Sequence, residues 1–162
     1  MISIIGAGPA GCYAAYLLAK KGNDVQLFEE HNRVGKPVQC TGLVTGSIQN
    51  IIHLKKEIIV NKINKTRIFS PNGKFAEINL KDANLVLDRE KFDQYLAEKA
   101  EKSGARIFLN NKFVDYKNKE VIIKDLKNKK IKKIKTSCLI GADGTLSQVA
   151  KSSNLFGKRK FM

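Results

Sequence analysis

The N-terminal part of the chain alternates between short apolar runs and glycine-bearing connections. Ile2–Ile5 is an apolar, β-branched run that ends at a glycine cluster, which predicts a buried parallel strand. The apolar positions of residues 9–21, followed by Gly22, predict a helix with its C-terminal stop. Residues 24–29 predict a second strand. Together they form a βαβ unit of about 30 residues.

The middle of the chain predicts an inserted hairpin and a second long helix. Residues 57–80 contain two strand-like runs around Pro71-Asn72-Gly73, a strong turn signal. A short helix is expected near residues 47–54, and a short strand at residues 85–87. Asp88 is a suitable N-cap for a helix over residues 89–103, and Gly104 ends it.

The last third predicts more β structure. We expect a parallel strand over residues 106–109, a three-stranded meander over residues 112–136, a strand over residues 137–142 and a helix over residues 145–152. The fold class is therefore α/β, a Rossmann-like domain with a mostly parallel sheet, a three-stranded β-meander and an inserted hairpin. We predict one domain over residues 1–151 and a basic tail over residues 152–162, which includes Gly157-Lys158-Arg159-Lys160.

The net positive charge of the chain is compatible with an anionic partner. The 162 residues carry a net charge of +15, which would attract nucleic acid or anionic lipid. No aromatic residues are interleaved with the lysines, as stacking on single strands requires, so we expect a solvated lysine surface and no nucleic-acid partner. Peripheral contact with a membrane stays open, since lysines near anionic lipid contribute about 1 kcal/mol each.

The cysteines argue against a metal site, and the N-terminal segment argues against a signal peptide or a membrane span. Cys12, Cys40 and Cys138 lie far apart and only two histidines are present, so no metal site is expected. Sparse, unpaired cysteines fit a reducing cytoplasm. The uncharged first 19 residues lack a basic start and are interrupted by Pro9 and three glycines, so we interpret them as strand and helix, not as a signal or membrane segment.

The segment Gly6-Ala7-Gly8-Pro9-Ala10-Gly11 has the spacing of a dinucleotide fingerprint. Its first glycine permits a tight turn, its second lets a pyrophosphate approach the backbone, and its third lets the helix pack on the strand. The start of that helix then presents free N–H groups and a positive dipole end to the phosphates. The alternative is a helix–strand packing motif without a ligand.

Glu29 ends the second predicted strand and supplies the acid that such a site needs. Its carboxylate is suited to accept hydrogen bonds from a ribose. Glu30 is a less favoured substitute, because the chain is already turning there. The fingerprint by itself does not separate NAD from FAD.

Two further segments distinguish FAD from NAD as the cofactor. Leu87-Asp88-Arg89-Glu90-Lys91-Phe92-Asp93 and Gly141-Ala142-Asp143-Gly144-Thr145-Leu146-Ser147 resemble the signatures of the hydroxylase-like FAD superfamily, over residues 1–151 in all. The resemblance implies FAD, with Arg89 near the diphosphate and with Asp143 and Gly144 at the ribityl or diphosphate region. The alternatives are a surface charge for Arg89 and an N-cap for Asp143, and a cap is compatible with binding.

The segment that follows the ribose acid identifies a branch of that superfamily. Arg33-Val34-Gly35-Lys36-Pro37-Val38-Gln39-Cys40-Thr41-Gly42-Leu43 resembles the geranylgeranyl reductase branch, in which this segment lines the flavin face. The resemblance implies cofactor contacts from Arg33 onward, with Cys40 and Gly42 near the isoalloxazine and the substrate. Cys40 is a candidate without an assigned chemical role, and its alternative is a small buried apolar residue.

The resemblance implies an FAD-dependent oxidoreductase that reduces isoprenoid double bonds of prenyl lipids in membrane lipid biosynthesis, with NADPH or ferredoxin as candidate electron donors. Two alternatives remain: an FAD-dependent monooxygenase, and a non-enzymatic nucleotide-binding remnant or basic module. Members of the branch continue into a substrate domain and a Gly-Asp-Ala motif, which the 162 residues lack. We therefore expect an incomplete catalyst: an excised domain, a truncated product, or part of a split enzyme completed by a second polypeptide.

Overall fold

The computed structural model describes residues 1–155. The strands in this range are β1 (Ile2–Ile5), β2 (Val25–Phe28), β3 (Leu43–Val44), β4 (Ile59–Phe69), β5 (Phe75–Leu87), β6 (Arg106–Phe108), β7 (Asn111–Lys117), β8 (Glu120–Asp125), β9 (Ile131–Lys135) and β10 (Cys138–Gly141). The α-helices are α1 (Pro9–Lys20), α2 (Arg89–Lys102) and α3 (Gln148–Ser152). None of these helices is long and apolar enough to cross a membrane. The chain divides into two compact units, residues 1–36 with the chain from Asp93 onward, and residues 37–92.

A four-stranded parallel sheet is the centre of the first unit. Its strand order is β10-β1-β2-β6, and Ile4 pairs with Leu27 on one side and with Ile140 on the other. Ile4, Val25 and Leu27 are fully buried, as expected for parallel strands that are covered on both faces. Since α1 connects the parallel neighbours β1 and β2, the predicted βαβ unit is confirmed.

The predicted meander is also confirmed, as the antiparallel sheet β7-β8-β9. It packs through one face on a shared apolar cluster. That cluster joins the parallel sheet, the meander and α3, and its buried members are Ile5, Phe28, Phe113, Val121, Ile123 and Val149. Burying such side chains stabilises a fold by roughly 1.5–3 kcal/mol each. The cluster therefore fixes the Gly141–Ser147 connection against the strand that precedes the glycine loop.

The second unit contains the antiparallel sheet β3-β5-β4. The predicted hairpin turn is present: the Ser70 N–H donates to the Lys74 carbonyl at 2.8 Å, and Gly73 has a φ of +81°. The hairpin is longer than the predicted 57–80, and residues 85–87 form strand as predicted but are the end of β5 and not a separate strand. Residues 80–83 bulge out between two pairs of the ladder, and β5 then pairs with β4 again as far as Leu87.

Two helix boundaries also differ from the prediction. The helix expected near residues 47–54 is a short 3₁₀ helix at Gly46–Asn50. The last helix begins at Gln148 rather than at residue 145, because the side chains of Asp143 and Ser147 accept the N–H groups of its first turn. Residues 156–162, which include Gly157-Lys158-Arg159-Lys160, lie outside the described residues. The extent of one domain over residues 1–151 stays a prediction.

Candidate cofactor-binding site

The loop between β1 and α1 depends on backbone contacts that only glycine permits. Gly6 has a φ of +97°, and a Cβ atom there would lie 2.5 Å from the Ala142 carbonyl oxygen. A Cβ atom at Gly11 would lie 1.9 Å from the Gly6 carbonyl oxygen. Gly6 and Gly11 are therefore required by close packing of the loop, the helix start and the segment after β10.

Gly8 has a different reason to be glycine. It is the N-cap of α1, its φ of −72° and ψ of −179° suit any residue, and a Cβ atom there would meet nothing within 4 Å. Pro9 and the exposed Ala10 begin the helix, and no side chain caps the first turn. The start of a 12-residue helix thus carries no side-chain cap and has open space beside Gly8, an arrangement that suits a diphosphate.

Glu29 follows β2 and turns its carboxylate toward the same loop. Its Oε2 accepts the Ala7 N–H at 2.7 Å, and its side chain is 12% exposed. The backbone of Glu29 is fixed on both sides, since its N–H donates to the Phe108 carbonyl and its carbonyl accepts the Asn111 N–H. The structure therefore brings the predicted ribose acid to the predicted phosphate loop.

His31 is a member of this site that the sequence analysis missed. Its ring Nδ1 lies 2.6 Å from Glu29 Oε1, and its backbone N–H donates to the same oxygen at 3.0 Å. The sequence carries only a weak signal for this contact, a histidine two positions after the acid. The sequence predicts a turn after Glu29, but nothing in the pattern indicates that the imidazole of His31 returns to the Glu29 carboxylate.

The other predicted residues near β2 have different neighbours. The carboxylate of Glu30 lies 2.8 Å from Lys112 Nζ, in an exposed ion pair. Arg33 is exposed and precedes the buried Val34, whose carbonyl accepts a hydrogen bond from Gln94 at 3.3 Å. Cofactor contacts of Glu30 and Arg33 stay predictions.

Asp143 caps α3, as its alternative interpretation allowed. Its Oδ2 accepts the N–H groups of Gln148 at 2.7 Å and Val149 at 3.1 Å, and Ser147 Oγ donates to its Oδ1 at 2.5 Å. Gly144 follows with a φ of +81° and with open space where a Cβ would be. A cofactor contact of Asp143 or Gly144 stays a prediction.

The second unit holds the remaining predicted residues, Cys40, Gly42 and Arg89. Gly42 has a φ of +77°, and a Cβ atom there would lie 2.2 Å from the Leu87 carbonyl oxygen and 3.3 Å from the Cγ of Arg89. Its N–H lies 3.5 Å from Cys40 Sγ, and Cys40 is exposed. The alternative that Cys40 is buried is therefore wrong, and Gly42 is fixed by its close approach to the end of β5. Their contacts with a flavin stay predictions.

The remaining thiol near the loop, Cys12, is not a nucleophile. It is fully buried in α1, and its Sγ donates to the Ala7 carbonyl at 3.2 Å. Burial, helped by the charge of Asp93, raises the pKa of the Cys12 thiol to about 12. The protonated thiol thus serves as a small core residue below the loop.

Comparisons with known proteins agree with this geometry. The FAD binding domain family matches residues 1–160. A Methanosarcina barkeri protein, described as an uncharacterized protein in the nifH2 5′ region, is 32% identical over 95% of this chain and 87% of its own length. The digeranylgeranylglycerophospholipid reductase of Methanocaldococcus jannaschii is 32% identical over 98% of this chain. This chain covers 41% of that reductase.

Solved structures of flavin-dependent enzymes and of a reductase-like protein share the fold of this chain. A geranylgeranyl bacteriochlorophyll reductase-like protein from Thermoplasma acidophilum superposes with a TM-score of 0.84 and 27% identity, over 94% of this chain and 41% of its own. The flavin-dependent monooxygenase PieE superposes with a TM-score of 0.71 but 18% identity, over 94% of this chain and 31% of its own, which shows a shared fold alone. The predicted fold class, FAD as the cofactor, and the resemblance to geranylgeranyl reductases are confirmed.

Proposed function

Because this chain belongs to the FAD binding domain family, we propose that it is the FAD-binding part of a flavin-dependent reductase that acts on isoprenoid double bonds of membrane lipids. One observation carries the site assignment: the uncapped start of α1 and the Glu29 carboxylate meet at one loop, with Glu29 Oε2 2.7 Å from the Ala7 nitrogen. The substrate class rests on the similarity to digeranylgeranylglycerophospholipid reductases.

The residues of the loop fit the adenosine diphosphate half of FAD. The first N–H groups of α1 suit the anionic diphosphate, and the missing side chain at Gly8 leaves room for it. The carboxylate of Glu29 suits the hydroxyl groups of a ribose. When bound, FAD supplies hydride transfer, which none of the twenty side chains provides.

We extend the proposal to the predicted residues of the other segments. Arg89 is proposed to contact the diphosphate, Asp143 and Gly144 the ribityl–diphosphate region, and Cys40 and Gly42 the flavin ring and substrate. Asp143 keeps acceptor capacity for this role, since Oδ1 receives one donor from the part of the chain that the structure describes. A prenyl lipid substrate would bring the enzyme to a membrane surface, where a net charge of +15 favours anionic headgroups.

The test of the cofactor site is a calorimetric titration of the purified chain with FAD and with NAD. We expect FAD to bind in preference to NAD, and Glu29→Ala to weaken FAD binding by roughly tenfold or more, as loss of a charge-assisted hydrogen bond predicts. Glu98→Ala is the matched control, because its exposed carboxylate pairs with Lys102 on α2 and has no proposed contact with the cofactor. Equal binding by the Glu29 variant and the wild-type protein would refute the assignment.

The reaction class is tested anaerobically with the flavin reduced by dithionite. When the chain is supplemented with a polypeptide that carries the substrate domain, we expect a digeranylgeranyl lipid to reoxidise the flavin and to gain two hydrogens for each double bond reduced, as mass spectrometry measures. Reoxidation that requires oxygen and hydroxylates a phenol would instead support a monooxygenase. FAD binding without any reaction of the lipid would leave FAD binding as the function of this chain and contradict a reductase activity of the chain itself.

A further inference from the structure

The imidazole of His31 lies against the carboxylate that we assign to the ribose. Its Nδ1 is 2.6 Å from Glu29 Oε1, whereas the other oxygen, Oε2, accepts the Ala7 N–H. We propose that His31 is a positioning residue, which orients Glu29 for the ribose hydroxyls of the adenosine half of FAD. This inference rests on the proposed function and adds a residue that neither the fingerprint nor the family signatures contain.

The chemistry of the contact fixes the direction of the hydrogen bond. An ionised carboxylate only accepts, so the Nδ1 atom of His31 must carry the proton, in the neutral ring as well as in the imidazolium. The backbone N–H of His31 donates to the same oxygen at 3.0 Å. Residue 31 thus supplies two donors to Oε1, and a carboxylate oxygen has about two acceptor directions.

The other oxygen of Glu29 keeps acceptor capacity. Among the described residues, 1–155, Oε2 receives one donor, the Ala7 N–H, so one acceptor direction remains for a hydroxyl group. The Glu29 side chain is 12% exposed, so water has little access to it. By occupying Oε1, His31 directs the ligand hydroxyl to the oxygen that also contacts the glycine loop.

The backbone of His31 is held by the residues at the start of the meander. The His31 carbonyl accepts the Asn110 N–H at 3.0 Å, and the Glu29 carbonyl accepts the Asn111 N–H at 2.8 Å. The backbones of both residues are therefore fixed to the same turn, and the contact of Nδ1 with Glu29 Oε1 orients the imidazole before a ligand binds. Such preorganisation improves affinity by lowering the conformational entropy that binding costs.

The experiment compares FAD with its analogue that carries 2′-deoxyadenosine. Dissociation constants are measured for the wild-type protein, His31→Ala, His31→Asn and Glu29→Gln. His53→Ala is the matched control, because His53 is the chain's other histidine and belongs to the second unit. Thermal unfolding of each variant without ligand separates a binding effect from loss of the fold.

We expect the wild-type protein to prefer FAD over the deoxy analogue. His31→Ala should weaken FAD binding by about five- to tenfold, the range for one charge-assisted hydrogen bond at a half-exposed side chain. It should change binding of the analogue less, so that the preference shrinks. Two donors remain on Glu29, and binding is therefore reduced and not abolished. His31→Asn should restore most of the preference, because its amide places a donor at a similar distance from the backbone.

Several outcomes would overturn the inference. If His31→Ala weakens FAD and the analogue by the same factor, the imidazole contacts the ligand directly or only supports the loop. If His31→Asn does not restore the preference, the ring acts by packing. A wild-type protein that binds both ligands equally removes the ribose role of Glu29. No FAD binding by the wild-type protein would instead refute the proposed function itself.

Discussion

Adding one methyl group at Gly11 or at Gly8 should separate the two roles of the glycine loop, which are close packing of the fold and binding of the ligand. At Gly11 the new Cβ would lie 1.9 Å from the Gly6 carbonyl oxygen, where ordinary contact begins at 3.4 Å. At Gly8 the new Cβ meets nothing within 4 Å. Gly11→Ala should therefore damage the fold, whereas Gly8→Ala should damage ligand binding.

The magnitudes follow from what has to move. Relief of the clash at Gly11 requires a backbone shift of about 1.5 Å, and overpacking of this kind costs about 3 kcal/mol. The higher helix propensity of alanine stabilises the folded protein by about 1 kcal/mol, which offsets part of this cost. The net loss of about 2 kcal/mol should lower Tm by about 4–8 °C for a protein of this length. At the N-cap, Gly8→Ala should cost less than about 1 kcal/mol.

The assay is urea unfolding without ligand, followed by FAD titration of each variant. Gly8→Ala should keep a near wild-type unfolding midpoint and lose FAD affinity by roughly tenfold or more, because a methyl group fills the open side of the helix start. Gly11→Ala should show the lowered midpoint. The reasoning fails if Gly11→Ala is as stable as the wild-type protein, or if Gly8→Ala binds FAD normally.

Three further predictions concern side chains of the first unit. Asp143→Ala should lower the free energy of unfolding by about 1–2 kcal/mol, because two N–H groups at the start of α3 lose their acceptor, and Asp143→Asn should lower it less, as urea unfolding will show. Cys12, whose pKa burial raises to about 12, should resist a thiol reagent at pH 8 until the protein unfolds, while the exposed Cys40 and Cys138 react in the native protein. The hydrogen bond from Lys132, with those from Asn128 and Lys127, holds the pKa of Asp125 well below its usual range. Its stabilising contribution is therefore present above the unfolded-state pKa of about 3.9 and decreases as the pH falls below it, so Asp125→Asn should destabilise the protein at pH 7 much more than at pH 2.

The first βαβ unit was predictable because its signals are local. A short apolar strand, a glycine turn and a helix with its stop signal follow one another within 30 residues. Two strands that are connected through such a helix usually lie side by side and parallel in the sheet. The meander was predictable for the same reason, since its turns connect adjacent strands. The hairpin turn at Pro71-Asn72-Gly73 is also a local feature.

The parts that were not predicted depend on strand pairing and on individual hydrogen bonds, which the hydrophobic pattern does not specify. The strand at residues 85–87 belongs to β5 because it pairs with the start of β4, more than twenty residues earlier. The late start of α3 reflects the donors that Asp143 attracts, which the apolar pattern does not encode. The contact of His31 with Glu29 requires a turn held by Asn110, a residue that lies more than seventy positions later in the chain.

Glu29 and Asp143, the two acids of the predicted site, are both oriented by hydrogen bonds within the protein, although their neighbours differ. Each accepts protein donors before any ligand is present: Glu29 from Ala7 and His31, Asp143 from α3 and Ser147. Each carboxylate is thus oriented by the fold, and each keeps one acceptor direction, on Glu29 Oε2 and on Asp143 Oδ1. A carboxylate that is already ordered loses little side-chain entropy when it binds a hydroxyl group. The structural roles of these acids are therefore compatible with the ligand contacts that we propose for them, and the cap at Asp143 does not exclude a ligand role.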